Sequence, residues 1–174
     1  MNEEFKQMLD AAVEDFGKAY RNWGLSKLKG QIVGLLLFHH EPLSLDDMTS
    51  ALHVTKGSVS TVARQLEEGN LIRRVWFKGD RKDYYQIVSD VFNTASGHNM
   101  KLLRDNQLIA QKYMGILSGL VDSSSGEEKK RLKLYLARMK EMNEFYTMMV
   151  EMFIRFVAEW EGKYQEQCTG SRWI

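Results

Sequence analysis

The sequence predicts a mainly α fold with one small β-hairpin, flanked by long N- and C-terminal helices, and three observations predict it. Between Leu43 and Ile87, two short amphipathic segments joined by a tight turn (LSLDDMTSALHVTKGSVSTVARQLEEGN) precede two β-prone runs around a basic turn (LIRRVWFKGDRKDYYQI). Upstream, apolar residues recur at helical spacing over the first two dozen positions. Downstream, a stripe alternating steps of three and four runs from Leu132 to Trp160 without a slip. Helix, turn, helix and hairpin in that order make a winged helix-turn-helix.

The N-terminal helix is traced by Phe5, Met8, Leu9, Ala12, Val13, Phe16, Ala19, Tyr20 and Trp23, and Gly24 ends it. Leu25 to Phe38 forms a second, strongly apolar helix suited to the centre of a domain. His39-His40-Glu41-Pro42 closes it, because proline disfavours helical geometry at the residue before it. Two histidines beside a carboxylate raise a metal site, since both are common ligands. Adjacent helix positions point in different directions, however, and no further His or Cys pair offers a matching spacing. The segment is read as a polar helix end and no metal is assigned.

Ser44 followed by Asp47 is a capping-box-like start for a short helix whose Leu45, Met48 and Leu52 face inward. Thr55 can cap the next helix through its side-chain oxygen. There Val59, Val62, Ala63 and Leu66 share one face, leaving Gly57, Ser60, Thr61 and Arg64 on the other. Small hydroxyl residues permit close approach to a sugar-phosphate backbone, and Arg64 is long enough to reach a base edge. Gly69-Asn70 ends the helix, since either residue tolerates a left-handed cap. Leu71 to Phe77 and Asp83 to Val88 read as strands joined by Lys78-Gly79-Asp80-Arg81-Lys82. Five cations from Arg73 to Lys82 stand against Asp80 alone, while the whole chain carries only +1, so the charge is concentrated on the hairpin. Arg81 is the natural probe of a minor groove. Arg73 and Arg74, adjacent on a strand, point to opposite faces, so at most one faces DNA.

The run LHVTKGSVSTVARQLEEGNLIRRVWFKGDRKDYYQI resembles the winged-helix domain of MarR-type transcriptional regulators, most closely the GbsR-like subgroup, and Gly30 to Leu36 resembles it more loosely. The resemblance implies that Lys56, Ser58, Ser60 and Thr61 approach the DNA backbone and that Asp80-Arg81 matches the family's wing pair. One departure is Gly69-Asn70, where the subgroup places glycine second and Asn can fill the role. With the cap, the polar face and the basic turn, the expected DNA-contacting set is Thr55, Lys56, Gly57, Ser58, Ser60, Thr61, Arg64, Lys78, Asp80, Arg81 and Lys82. The subgroup is linked with osmoprotectant metabolism, which implies a choline- or betaine-like effector. An aromatic cage for such a cation would draw on Tyr20, Trp23, Trp76, Tyr113, Tyr135, Tyr146 and Trp160.

After the hairpin a helix runs from about Ser89 to Leu120 through Leu103, Asn106, Ala110, Tyr113 and Leu117, with Ser96-Gly97 expected to bend or break its start. Asp122 to Gly126 is a linker, and the last helix extends from Glu127 to Gly162. Its seam is Leu132, Tyr135, Met139, Met142, Tyr146, Met149, Phe153, Phe156 and Trp160. Leu136, Phe145, Met148, Met152 and Val157 widen the stripe beyond what one helix of the same chain covers. The simplest partner is a second copy, so the seam, with Phe5, Met8 and Phe16, is read as a homodimerisation surface. Seven of the ten methionines lie between Met100 and Met152, where core filling accounts for them.

The expected division is residues 1–24 as a helix joining the dimerisation region, 25–90 as the DNA-binding domain and 91–174 as the helical dimerisation and effector region. At 174 residues and 44% apolar content the chain can bury a core. The lone Cys168 excludes an intramolecular disulfide, and no apolar run reaches membrane-spanning length, which suits a cytoplasmic protein. Phosphate-binding glycine loops, dinucleotide fingerprints, nucleophile elbows and paired-histidine zinc motifs are missing from the sequence, and the adjacent carboxylates Asp46-Asp47 and Glu67-Glu68 do not face each other on a helix. No cofactor and no enzymatic activity are expected. The expectation is a homodimeric, sequence-specific DNA-binding regulator, read as a repressor. The alternative is a winged helix used for protein contacts, with the long helix as a scaffold.

Overall fold

The structure, a computed structural model, describes residues 3–170, and their side chains as far as Lys163. Cys168 lies outside the described side chains. In order come α1 (Glu3–Asn22), α2 (Lys27–Leu37), β1 (Leu43–Ser44), α3 (Leu45–Leu52), α4 (Lys56–Glu68), β2 (Ile72–Val75), β3 (Tyr84–Ile87), α5 (Val91–Ser123) and α6 (Gly126–Gly170). The chain divides into two compact units, residues 1–94 and 95–174.

In the first unit α2 is central. Ile32, Val33, Leu35 and Leu36 are buried with Leu9 and Val13 of α1, Met48 of α3, Val59, Ala63 and Leu66 of α4, Ile72 of β2 and Tyr85 of β3. The strands form an antiparallel sheet in the order β1-β3-β2, with Leu43 opposite Tyr85 and Arg74 opposite Tyr85 on the other side. The two-residue β1 gave no sequence signal of its own. Both wing strands are shorter than expected, and Trp76 and Phe77 lie exposed beyond the ladder. The α1–α2 crossing depends on glycine. A Cβ at Gly30 would run into the Phe16 carbonyl oxygen and come within 2.8 Å of the Tyr20 side chain, and one at Gly34 would lie 3.0 Å from that of Phe16. Phe16 also meets Phe38 edge-on at 6.4 Å, so this residue, expected at a dimer contact, packs within the chain.

In the second unit α5 runs unbroken through Ser96-Gly97, correcting the expected bend. One glycine costs about 1 kcal/mol in a helix, too little to interrupt a ladder continuing on both sides of it. The linker shrinks to Ser124 and Ser125, with Gly126 taking the left-handed φ of 60° that turns the chain. The last helix passes Gly162 and reaches Gly170. Gln107 Nε2 donates to Thr147 Oγ1 at 2.8 Å, fixing the register of α5 against α6, and among the described side chains Ala110 and Val121 of α5 and Val150 of α6 are buried. No helix among the described residues is long and apolar enough to cross a membrane.

Candidate nucleic-acid interface

The turn into α4 is built as its residues dictate. Ser44 Oγ accepts from the Asp47 N–H at 3.1 Å while Asp47 Oδ2 accepts from the Ser44 N–H at 2.9 Å and its hydroxyl at 2.6 Å, closing the capping box on α3. These bonds hold the Asp47 carboxyl below the usual aspartate range, the Ser44 hydroxyl contributing most, with Lys82 adding to the effect. Thr55 caps α4, its Oγ1 accepting from the Ser58 N–H at 3.3 Å and lying 2.9 Å from Ser58 Oγ. The hydroxyls of Thr55 and Ser58, both in the expected DNA-contacting set, thus sit at a helix N-terminus, where exposed N–H groups favour an anion.

Val59, Ala63 and Leu66 point into the core, while Lys56, Gly57, Ser58, Thr61 and Arg64 are exposed and Ser60 half-exposed. A Cβ on Gly57 would meet nothing, so packing inside the chain does not require glycine there. At the far end Asn70, with φ of 54°, takes the left-handed position and Gly69 does not. This is the substitution anticipated for the family's second-position glycine.

The tip of the wing is shaped by Asp80. Its Oδ1 accepts from the Lys82 N–H at 2.9 Å and its Oδ2 from the Tyr84 hydroxyl at 2.7 Å, while Phe77 and Tyr84 meet edge-on at 4.8 Å. Those donors, Lys82 N–H first, hold the Asp80 carboxyl below its ordinary range, and the bond to the Asp80 carboxylate raises the Tyr84 hydroxyl. Both Asp80 oxygens are engaged inside the turn, which Gly79 helps to form with φ of 88°. Lys78, Arg81 and Lys82 are left exposed around it. The two strand arginines separate as alternation requires. Arg74 pairs with Glu67 at 3.3 Å and Asp83 at 3.4 Å and lies over the Tyr85 ring, tying the wing to α4. Arg73 is exposed opposite Gln86.

Two features escaped the sequence reading because they join residues distant along the chain. Lys56, Arg81 and Lys82 line one hollow of about 210 Å³, together with Asp46 and Asp83. In addition, Lys56 Nζ lies 2.7 Å from Asp46 Oδ1. The expected aromatic cage is not assembled within either unit. Trp23 and Trp76 are exposed, and Tyr20 is half-buried at the α1–α2 crossing, where burial raises its hydroxyl pKa. Tyr146 stacks edge-on with Phe145 at 5.3 Å, and Trp160 is half-exposed on α6. Tyr113 and Tyr135 share a hollow of about 480 Å³, but Arg138 lines it too, and a guanidinium repels a quaternary ammonium. His39 Nδ1 lies 2.8 Å from the Leu35 carbonyl oxygen at the end of α2, and His40 is exposed.

On α6 the expected seam is split. Leu132, Met139, Met142, Tyr146, Met149 and Phe153 are half-buried, whereas Tyr135 and Phe156 are exposed. Leu134, Phe145, Met148 and Met152 are exposed on the remaining side, as are Phe5 and Met8 on α1.

Residues 35–84, from α2 to the start of β3, match the profile of the MarR family. The chain is 24% identical over 164 residues to the putative HTH-type transcriptional regulator YvaV of Bacillus subtilis (strain 168), covering 91% of this chain and 93% of that one. It is 23% identical over 158 residues to the HTH-type transcriptional repressor OpcR of the same organism, covering 87% and 85%. To that organism's repressor GbsR it is 26% identical, over 52% of each chain. A crystal structure of a transcriptional regulator superposes with a TM-score of 0.68 at 23% identity, covering 88% of this chain and 98% of the other, a likeness of fold. The named relatives are transcriptional regulators, not enzymes.

Proposed function

We propose, from the premise that this chain is a winged-helix regulator of the MarR type, that it is a homodimeric repressor whose α4 enters the major groove and whose wing enters the flanking minor groove. The observation that carries the reading is the shared hollow in which Lys56 at the start of α4 meets Arg81 and Lys82 of the wing. Cations from two elements on one surface follow a phosphate backbone, while Thr61 and Arg64, exposed on α4, reach toward base edges. Asp80 acts in this reading by holding the turn that presents Arg81. The similarity to OpcR supports repression. Work on DNA puts the protein in the cytoplasm.

The second copy covers the exposed face of α6, with Phe5 and Met8 the α1 residues available to join it. A twofold dimer then sets its two α4 helices on half-sites about 34 Å apart. The GbsR-like reading rests on the sequence resemblance of the winged helix and on a match over 52% of each chain, and the Arg138-lined hollow offers a choline-like cation no support. Any effector must bind one spacing of the two α4 helices better than another, since equal affinity shifts nothing.

The test uses duplexes selected from the source genome by the purified protein. Arg81→Ala should weaken binding by roughly 1–3 kcal/mol per contact while sedimentation still shows a dimer. Wild-type affinity should fall steeply with rising salt, as counterion release requires. Binding indifferent to both would favour the protein-interaction reading.

A further inference from the structure

We propose that Asp46 is a built-in competitor of DNA phosphate, holding Lys56 in the free protein and thereby lowering affinity for duplex DNA of any sequence. The inference rests on the DNA-binding reading and adds a residue that restrains it. Lys56 is the first residue of α4, at a helix N-terminus and in the same hollow as Arg81 and Lys82, which is where a phosphate would dock. A carboxylate already stands there, with Asp46 Oδ1 2.7 Å from Lys56 Nζ.

The fold gives little reason for this pair. Both side chains are half or more exposed, 60% for Lys56 and 50% for Asp46, and pairs so exposed contribute little to stability. Nor is Asp46 used by the cap of α3, which engages its neighbour Asp47. The two adjacent acids therefore divide their work. Asp47 is locked to Ser44, and Asp46 leans on the recognition helix. When DNA arrives, the Lys56 ammonium exchanges a carboxylate for a phosphate, and the displaced Asp46 charge remains beside that phosphate.

Neutralising Asp46 should therefore strengthen binding, the reverse of what loss of an ordinary interface residue does. With random-sequence duplex DNA as the probe, Asp46→Asn should bind on the order of three- to tenfold more tightly at low salt. Between about 50 and 200 mM salt its log-affinity slope should steepen by roughly 0.9 per subunit. Asp46→Glu should stay near wild type, and the gain should shrink in a Lys56→Ala background. Asp15→Asn on α1 changes net charge equally and should not reproduce the gain. Thermal unfolding checks that each variant is folded. Unchanged or weaker binding by folded Asp46→Asn, or an equal gain from Asp15→Asn, would overturn the role of Asp46. A wild-type protein that fails to bind duplex DNA at any salt would instead overturn the regulator reading itself.

Discussion

The two units of this chain bury their apolar residues to very different extents. In residues 1–94 the large side chains of Ile32, Met48, Val59 and Ile72 are almost wholly sealed by neighbours from the same chain. Among the described side chains of the second unit, residues 95–163, only Ala110, Val121 and Val150 are buried, while Leu102, Leu108, Phe145, Met148 and Met152 stand more than half exposed. A winged helix folds several short elements around α2 and seals a core there, although Trp23, Trp76 and Phe92 stay exposed at its surface. Two helices side by side can shield only their facing stripes. Exposed apolar surface on this scale marks a contact site, so the core of the first unit is self-sufficient while the second unit, on the proposed reading, is completed by a second copy.

The comparison breaks first at Ile32. Replacing this fully buried side chain with Ala should cost about 2–5 kcal/mol, and the loss should be the same at every protein concentration in urea titrations. A loss that grows on dilution would mean that the first unit also depends on a partner. Next in size is Met148→Glu combined with Met152→Glu, which sets charges on the exposed α6 face. Dimer affinity measured by sedimentation should fall about a hundredfold, equivalent to about 2.7 kcal/mol, with α-helical content retained in the monomer. An undisturbed dimer would move the contact to another face.

The same division explains what could be read from the sequence. The first unit's local devices were legible because each lies within a few residues: the Ser44-Asp47 box and the Thr55 cap stand where residue spacing placed them, and of the two candidates Gly69 and Asn70 it is Asn70 that takes the left-handed position. Contacts between distant segments were not. Nothing around Gly30 announces that α1 presses Phe16 against it, and nothing around Asp46 announces Lys56. On α6 periodicity was informative only in part. Tyr135 and Phe156 stand exposed, while the seam residues from Met139 to Phe153, and Trp160 beyond them, are half-buried. Periodicity revealed that α6 is amphipathic, but not which stripe its own α5 would cover.

The smallest expected effect sharpens the account of the self-sufficient unit, because it asks how much one local device contributes inside a well-packed core. Ser44→Ala removes the hydroxyl that accepts from the Asp47 N–H and donates to its carboxylate, and should cost about 1 kcal/mol near neutral pH. Because the folded chain holds the Asp47 carboxyl below its ordinary range, the unfolded chain takes up that proton first as pH falls. The stabilisation is complete above the ordinary aspartate value of roughly 3.9 and is lost as pH drops through the lower folded value. Without its hydroxyl partner the variant has less of this term to lose. The stability gap between wild type and Ser44→Ala should thus be widest near neutrality and narrow in acid, as urea titrations at the two pH values will measure. A gap that stays constant would assign the effect to the hydroxyl's bond with the backbone alone and leave the carboxylate out of it.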